Sequence, residues 1–333
     1  MRHSNLLSSS QYYATSNNEC TNTEVKDKSF NQQKCSDNST RHSFIHCSWD
    51  NNGRSSSGGA IHLRCTYSQP SITLTVDRCI FFHCHETGNI GGGRVYAEYI
   101  GTTMIRNSFF YDCQCGTGAD GPDGAGALLN YIHTFPLIQC CIFLFCTSGD
   151  DGGGCGIWNS QSPVSYAVDS CTFLKCKGVN QKSTDGGGII FNQNIDMISC
   201  TNCLFHACTT PHYGGAISAV YPSGTTIKPI SFCYFHQNTA EYGNDIFLYC
   251  FPDPSQTVLH CLSTSASDRV CSVLNENDIS NPDKFKSDSD WLPLGTLSYL
   301  NTWNGTDDPY PDNDPNNPVW LSEISGDDAE QYQ

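Results

Sequence analysis

Cys171-Thr-Phe-Leu-Lys-Cys176 belongs to a series of hexapeptides of the form Cys-x-Phe-x-x-Cys that recur along the chain. Clear copies are Cys79-Phe81-Cys84, Cys141-Phe143-Cys146, Cys171-Phe173-Cys176 and Cys203-Phe205-Cys208. Looser copies are His42-Phe44-Cys47, Ser108-Phe110-Cys113 and Cys233-Phe235-Asn238. The phenylalanines lie 37, 29, 33, 30, 32 and 30 residues apart. A period of this length marks stacked supersecondary units, each burying its apolar face against its neighbours.

A glycine cluster follows each copy. Gly58-Gly59-Ala60-Ile61, Gly91-Gly92-Gly93, Gly124-Ala125-Gly126-Ala127 and Gly152-Gly153-Gly154 come first. Gly186-Gly187-Gly188-Ile189, Gly214-Gly215-Ala216-Ile217 and Gly243-Asn244-Asp245-Ile246 complete the series. After each cluster comes a short apolar run, a variable polar turn and a second apolar run that ends in the Phe motif. Runs of four to seven residues between Gly, Pro, Asn and Ser are strand signals. A coil of two or three such strands that returns one strand spacing higher is the unit of a parallel β-helix. The fold expected is therefore all-β, a solenoid of about seven coils over residues 41–250. Residues 1–40 form a polar lead-in or cap, and 251–333 an acidic C-terminal cap and tail. Within that last part, residues 291–303 (WLPLGTLSYLNTW) have the apolar content of a fold-back cap. Residues 308–318 (DPYPDNDPNNP) read as extended or disordered.

The 333-residue chain carries 17 Lys and Arg against 33 Asp and Glu, a formal net charge of −16. From residue 251 onward there are 15 acids and three bases (Arg269, Lys284, Lys286), so −12 of that charge sits in the last quarter. Neither part has the basic stripe that phosphate backbones require, so nucleic acid is excluded as a partner, and an anionic membrane surface is disfavoured. No segment approaches twenty apolar residues, so no membrane-spanning stretch is expected. The opening residues MRHSNLLSSSQYY lack an apolar run of signal-peptide length. The 21 cysteines suggest a disulfide scaffold, but such scaffolds are usually short, and an odd count leaves one thiol over.

The alternation of GGAI-like and FxxN-like motifs resembles the repeat of chlamydial polymorphic outer membrane proteins, which is similar to repeats in surface proteins of trichomonad protists. The residues that carry the resemblance are Gly58-Gly59-Ala60-Ile61, Gly214-Gly215-Ala216-Ile217, Phe235-His236-Gln237-Asn238 and the stretch NTAEYGNDIFL (238–248). It implies a right-handed parallel β-helix of the pectin-lyase type. It also implies export, a cell-surface or extracellular location, and adhesion to a protein or glycan on another surface. The chain departs from that pattern where cysteine replaces asparagine in six of seven FxxN positions, and in lacking a signal peptide and an anchor or barrel.

In a stacked coil each sequence column becomes a ladder. Phe44, Phe81, Phe110, Phe143, Phe173, Phe205 and Phe235 are expected to stack inside. Cys47, Cys84, Cys113, Cys146, Cys176, Cys208 and Asn238 form a second ladder, as inert thiols, disulfides or metal ligands. Cys79, Cys141, Cys171, Cys203 and Cys233 form a third with the same alternatives. Neither Cys113-x-Cys115 nor His83-Cys84-His85 has a zinc spacing with a partner pair downstream.

The turns offer one candidate ion site. Asp123, Asp151 and Asp185 precede the glycine clusters of three consecutive coils, with Asp120 and Asp150 beside them. Stacked carboxylates repel, and Ca2+ with oxygen ligands would relieve that. A solvated loop whose acids splay apart would relieve it equally. Apart from Ca2+, no cofactor is expected. Catalysis is not expected either. The doublet Asp150-Asp151 lacks an NTD, GHG or RIK companion, no GxSxG motif is present, and His46, His83, His206 and His236 read as turn residues. The function foreseen is a non-enzymatic, adhesin-like β-helix that presents its turn loops. A carbohydrate-active or glycan-binding module is the alternative, with Tyr96, Tyr99 or Trp158 as a stacking platform.

Overall fold

The computed structural model describes residues 24–26, 33–35, 41–50, 53–54, 60–64, 72–86, 94–116, 124–134, 136–158, 164–180, 185–192, 195–220, 230–249, 258–259, 261–264 and 270–273. These residues are all-β, with no helix. One turn shows the plan: Leu137–Gln139, Ile142–Leu144, Thr147–Ser148 and Cys155–Trp158 are four short strands separated by corners. Each pairs in parallel with its counterparts one turn before and one turn after, so the chain winds as a solenoid with four sheets for walls. Among the described residues the sheets hold nine, eight, five and nine strands in that order around the coil.

The number of turns differs from the seven foreseen. Five turns have a strand in all four sheets, because beyond Lys177–Gly178 the third wall narrows to single bridged residues, Thr209 and Thr239. Strands on either side of residues 41–250 join the same sheets. Glu24–Lys26 and Gln33–Cys35 pair at one end, and Val258–Leu259, Leu262–Ser263 and Val270–Val273 at the other.

The register corrects the first copy of the repeat. Phe44 lies in the first sheet and pairs with Val76, whereas Trp49 pairs with Phe81 in the second. The ring that starts the aromatic ladder is therefore Trp49, whose centroid lies 4.5 Å from that of Phe81 at an interplanar angle of 2°. Cys47 likewise belongs to the column of Cys79, because the amide of Ile80 bonds the Cys47 carbonyl and Ser48 pairs with Ile80.

From Phe81 the ladder runs through Phe110, Phe143, Phe173, Phe205 and Phe235. Successive centroids are 4.6, 4.6, 4.8, 4.8 and 5.2 Å apart, and the planes lie within 6° of parallel. That spacing is the separation of hydrogen-bonded strands, so backbone pairing and ring stacking enforce one register. All six rings are fully buried, each contributing about 1.5–3 kcal/mol of hydrophobic stabilisation.

The glycine clusters are the other half of the same contact. A Cβ on Gly126 would lie 2.5 Å from Cδ1 of Phe143, and one on Gly154 would lie 2.7 Å from Cδ1 of Phe173. At Gly126, Gly154 and Gly188 the third position of the cluster is small because the ring of the next turn lies against it, while Arg94 and Asp245 hold the same column at two other turns. The first position has a separate requirement: Gly124, Gly152, Gly186, Gly214 and Gly243 all have φ of 63–65°. An L side chain there would be strained.

Candidate functional site

The corners decide what the cysteines do. On either side of the second sheet the chain turns through a left-handed residue followed directly by the column residue. Examples are Arg78-Cys79, His83-Cys84, Cys140-Cys141, Phe145-Cys146, Lys175-Cys176 and Gln237-Asn238. Left-handed backbone costs a non-glycine residue about 1–2 kcal/mol. The corner offsets this by bonding upward in register, as in Phe145 N–H to the Leu174 carbonyl and Lys175 N–H to that of His206, each at about 3.0 Å or less. The strained residue is thus the one before the cysteine, and the cysteine is free to point inward.

Each thiol of the ladder from Cys84 to Cys208 lies in reach of two backbone carbonyls, one in its own turn and one in the turn before. Cys113 Sγ meets the Phe81 carbonyl at 3.8 Å, Cys146 that of Phe110 at 3.6 Å, Cys176 that of Phe143 at 3.3 Å and Cys208 that of Phe173 at 3.4 Å. Cys84 makes the same contact to Trp49 at 3.8 Å. Asn238 performs the equivalent task with an amide. Its Nδ2 donates to the Phe205 carbonyl at 3.2 Å and its Oδ1 accepts the Cys208 N–H at 2.9 Å. Its second amide hydrogen has a dedicated acceptor, Oδ1 of the fully buried Asp245 at 3.0 Å. The seventeen cysteines whose side chains are described stand as thiols, and burial pushes Cys113, Cys146 and Cys176 well above the ordinary thiol range. Held protonated and enclosed, these three sulfurs are unreactive.

The acidic turn is partly spoken for by the backbone. Asp151 and Asp185 occupy consecutive turns, where Asp185 is followed in the bridged stack by Tyr213 and Tyr242. The Asp151 side chain is buried, and its Oδ1 accepts the Asp185 N–H at 2.7 Å. Ser148 Oγ donates to the Asp151 carbonyl at 2.8 Å and accepts the Asp150 N–H at 3.2 Å, fixing the turn. Asp150 Oδ1 accepts from Asn180 Nδ2 at 3.4 Å. Asp120 and Asp123 lie outside the described residues, so the Ca2+ site foreseen is placed only through Asp150, Asp151 and Asp185.

Two platforms read from the sequence move. Tyr96 and Tyr99 are 4% and 6% exposed, which removes them as a glycan-stacking surface; Trp158 is half-buried. Tyr96 packs edge-on to His62, and Tyr99 stacks on Tyr131 at 4.6 Å. His206 and His236, foreseen as turn residues, end strands of the second sheet and stack at 4.8 Å. Burial, then the neighbouring His236 and Lys175 charges, lower His206 to about 4, and burial lowers His236.

The surface that the motif analysis passed over is the outer face of the second sheet. Its inner face is the aromatic ladder; its outer face carries Ile80, Phe82, Phe109, Tyr111, Ile142, Leu144 and Leu174, a second apolar cluster separate from the core. Phe82 and Phe109 meet edge-to-face at 5.8 Å, as do Tyr111 and Phe145 at the same distance, and the Lys175 ammonium lies 5.2 Å above the Phe145 ring. Along the same sheet's corners, Phe145 and Phe232 hold left-handed backbone, and Phe232 is 51% exposed. The signal was present in runs such as Ile80-Phe81-Phe82 and Ile142-Phe143-Leu144: three consecutive apolar residues in a strand place apolar groups on both faces.

One buried cation has no explanation in the fold. Arg94 occupies the small-residue column of Gly126, Gly154 and Gly188, is fully buried, and donates Nη2 to the Gln114 carbonyl at 3.2 Å. Its Nε and Nη1 have no hydrogen-bond acceptor among the described residues.

No helix among the described residues is long and apolar enough to cross a membrane, which says nothing of crossing by strands. Comparison with protein-family models, curated proteins and solved structures finds no match to this chain.

Proposed function

We propose that this chain is a non-enzymatic, adhesin-like β-helix of the polymorphic outer membrane protein repeat type, right-handed, and displayed at a cell surface or secreted. Its partner is a protein or glycan on another surface. The observation that carries the reading is the second sheet's apolar outer face, where Phe109, Ile142 and Leu144 are already buried while Ile80, Phe82, Tyr111 and Leu174 stay partly exposed, beside the exposed Phe232. A parallel sheet with one face on the core and an apolar opposite face is the arrangement of a sheet meant to be covered. The aromatic corners point the same way. Phe145 and Phe232 keep left-handed backbone that asparagine or glycine would adopt at lower cost, so their rings are retained for what they contact. The variable polar loops after each Phe motif would select the partner.

The test is binding of the labelled chain to arrays of extracellular proteins and of glycans. The wild type is expected to mark a defined subset, and Phe82→Ser with Tyr111→Ser to lose it while keeping the far-UV circular dichroism of the wild type. Binding that survives the double substitution would reject this face as the contact. New sugar ends released on the glycan array would reject the non-enzymatic reading in favour of a carbohydrate-active one. Labelling of intact native cells with an antibody to the chain tests the location, and labelling only after permeabilisation would overturn it.

A further inference from the structure

We infer that Cys200, Cys203 and Cys233 form a binding site for a thiophilic monovalent d10 metal ion, Cu(I), inside the C-terminal half of the solenoid. Their three sulfurs lie within 4.8 Å of one another, and the residues are 0%, 2% and 2% exposed.

The triangle is not a by-product of the cysteine columns. In a column, sulfurs succeed one another one strand spacing at a time, so three in a row cannot be mutual neighbours. Cys203 and Cys233 are such a pair, in the corner that joins the first sheet to the second. The third sulfur comes from a different position. Cys200 sits in the first sheet, in the column that reads Phe44, Val76, Ile105, Ile138, Val168, Cys200, Ile230. Every other described member of that column is an apolar residue without sulfur, and all are buried. Substituting cysteine at this one level closes the triangle, and among the described residues no other group of metal-ligating side chains does the same.

The donor set selects the ion. Three sulfurs with no carboxylate or imidazole suit a soft cation and reject Ca2+ and Mg2+. Structural zinc takes four ligands, and the mutual triangle offers three, with Cys171 beside Cys203 and Cys261 beside Cys233 continuing the column on either side. Cu(I) accepts three sulfur donors, and with one thiol proton released for each ion bound, its single charge leaves the core neutral. Binding displaces that proton to solvent and transfers no electron. Access is also accounted for. Beyond the turn of Cys233 only Val258–Leu259, Leu262–Ser263 and Val270–Val273 continue the described stack. Opening of those end strands, the least supported part of a solenoid, uncovers the site.

The experiment uses the full chain, reduced and stripped of metal, titrated with Cu(I) supplied from a coloured chelate and followed by native mass and thermal melting. Cys200→Val restores the residue found at Val76 and Val168, and Cys200→Ile restores that of Ile230, so at least one is expected to fold with a wild-type spectrum. The wild type is expected to take up one more equivalent of Cu(I) than either variant, and its melting temperature to rise with the metal while theirs does not. Cys176→Val, in the other column, is expected to keep that equivalent. Equal uptake by wild type and both Cys200 variants would overturn the site. So would a melting response to Zn(II) but not to Cu(I), or a disulfide joining two of the three cysteines in chain isolated without reductant.

Discussion

The contact between the third glycine of a cluster and the ring of the next turn is the joint on which the stack depends, and it can be measured by a double-mutant cycle. Phe143 is fully buried between Phe110 and Phe173, at 4.6 and 4.8 Å. Phe143→Ala therefore removes a ring with neighbours on both faces and leaves a cavity, at a cost of about 3–5 kcal/mol. Gly126→Ala acts oppositely: its methyl would stand 2.5 and 2.7 Å from Cδ1 and Cε1 of that ring and 2.7 Å from the Gly154 carbonyl oxygen. Overpacking of this kind costs about 1–3 kcal/mol. Two of the three close contacts disappear with the ring, and the carbonyl contact remains. The double variant should thus fall short of the summed losses by about 1–2 kcal/mol, with the methyl partly filling the space the ring vacated. Urea unfolding followed by circular dichroism, in reductant, supplies the four stabilities, and unchanged slopes confirm that one cooperative transition is being compared. Gly126→Ala with Phe81→Ala, which share no contact, serves as the additive control. Strict additivity in the Gly126 and Phe143 pair would refute the coupling of glycine cluster and ring.

Arg94→Met removes two buried donor nitrogens that have no acceptor among the described residues, so it should stabilise the chain by about 1–3 kcal/mol in urea titration; a loss of that size would reveal a partner for the guanidinium. Asp151→Ala should destabilise by about 1–3 kcal/mol equally with Ca2+ and with chelator, since its carboxylate serves the Asp185 amide; a loss seen only with Ca2+ present would establish the ion site at Asp150, Asp151 and Asp185 instead. The folded-state value of His206 lies below its unfolded value of 6.5, so its neutral form supports the fold above that pH. That support fades as pH falls from about 6.5 towards about 4. With solvent screening of this half-buried ring the loss is about 1 kcal/mol, and His206→Leu should flatten the melting temperature between pH 7 and 5. Cys208→Asn should cost about 1–3 kcal/mol in urea titration, because its second amide hydrogen would lack the acceptor that Asp245 gives Asn238.

The period of the repeat was enough to read a solenoid, because strand pairing and ring stacking share one spacing. Phenylalanine alone does not mark the first turn, where the ladder ring is Trp49. Cys47-Ser-Trp49-Asp-Asn-Asn52 is the true first copy, and Trp49 to Phe81 is 32 residues, in line with the later intervals, where Phe44 to Phe81 is 37. What the ladder needs is a flat ring of sufficient area, which tryptophan supplies. The acidic turn is legible only in part. The sequence displays carboxylates that repel, while the partner that occupies Asp151 is a backbone amide of Asp185, and no side-chain pattern announces it. The sulfur triangle lay in plain spacing, as Cys200-Thr-Asn-Cys203, but Cys233 joins it only through the register of the corners.

The exchange of asparagine for cysteine in this chain follows from donor arithmetic. An asparagine facing the core brings two amide hydrogens and a carbonyl that must all be matched. Asn238 is matched because its turn also provides Asp245, and that carboxylate accepts in addition from Ser263 Oγ. In the turns of Cys113, Cys146, Cys176 and Cys208 the position of Asp245 is filled by glycine or alanine, because the next ring lies against it. A carboxylate cannot fit there, so an asparagine would bury one hydrogen without an acceptor, at about 1–3 kcal/mol each time. A thiol has one hydrogen and needs one carbonyl, which the preceding turn supplies. The cysteine ladder is thus the counterpart of the aromatic one: close-packed rings require small neighbours, small neighbours deny asparagine its acceptor, and cysteine is the side chain of similar size that tolerates the loss.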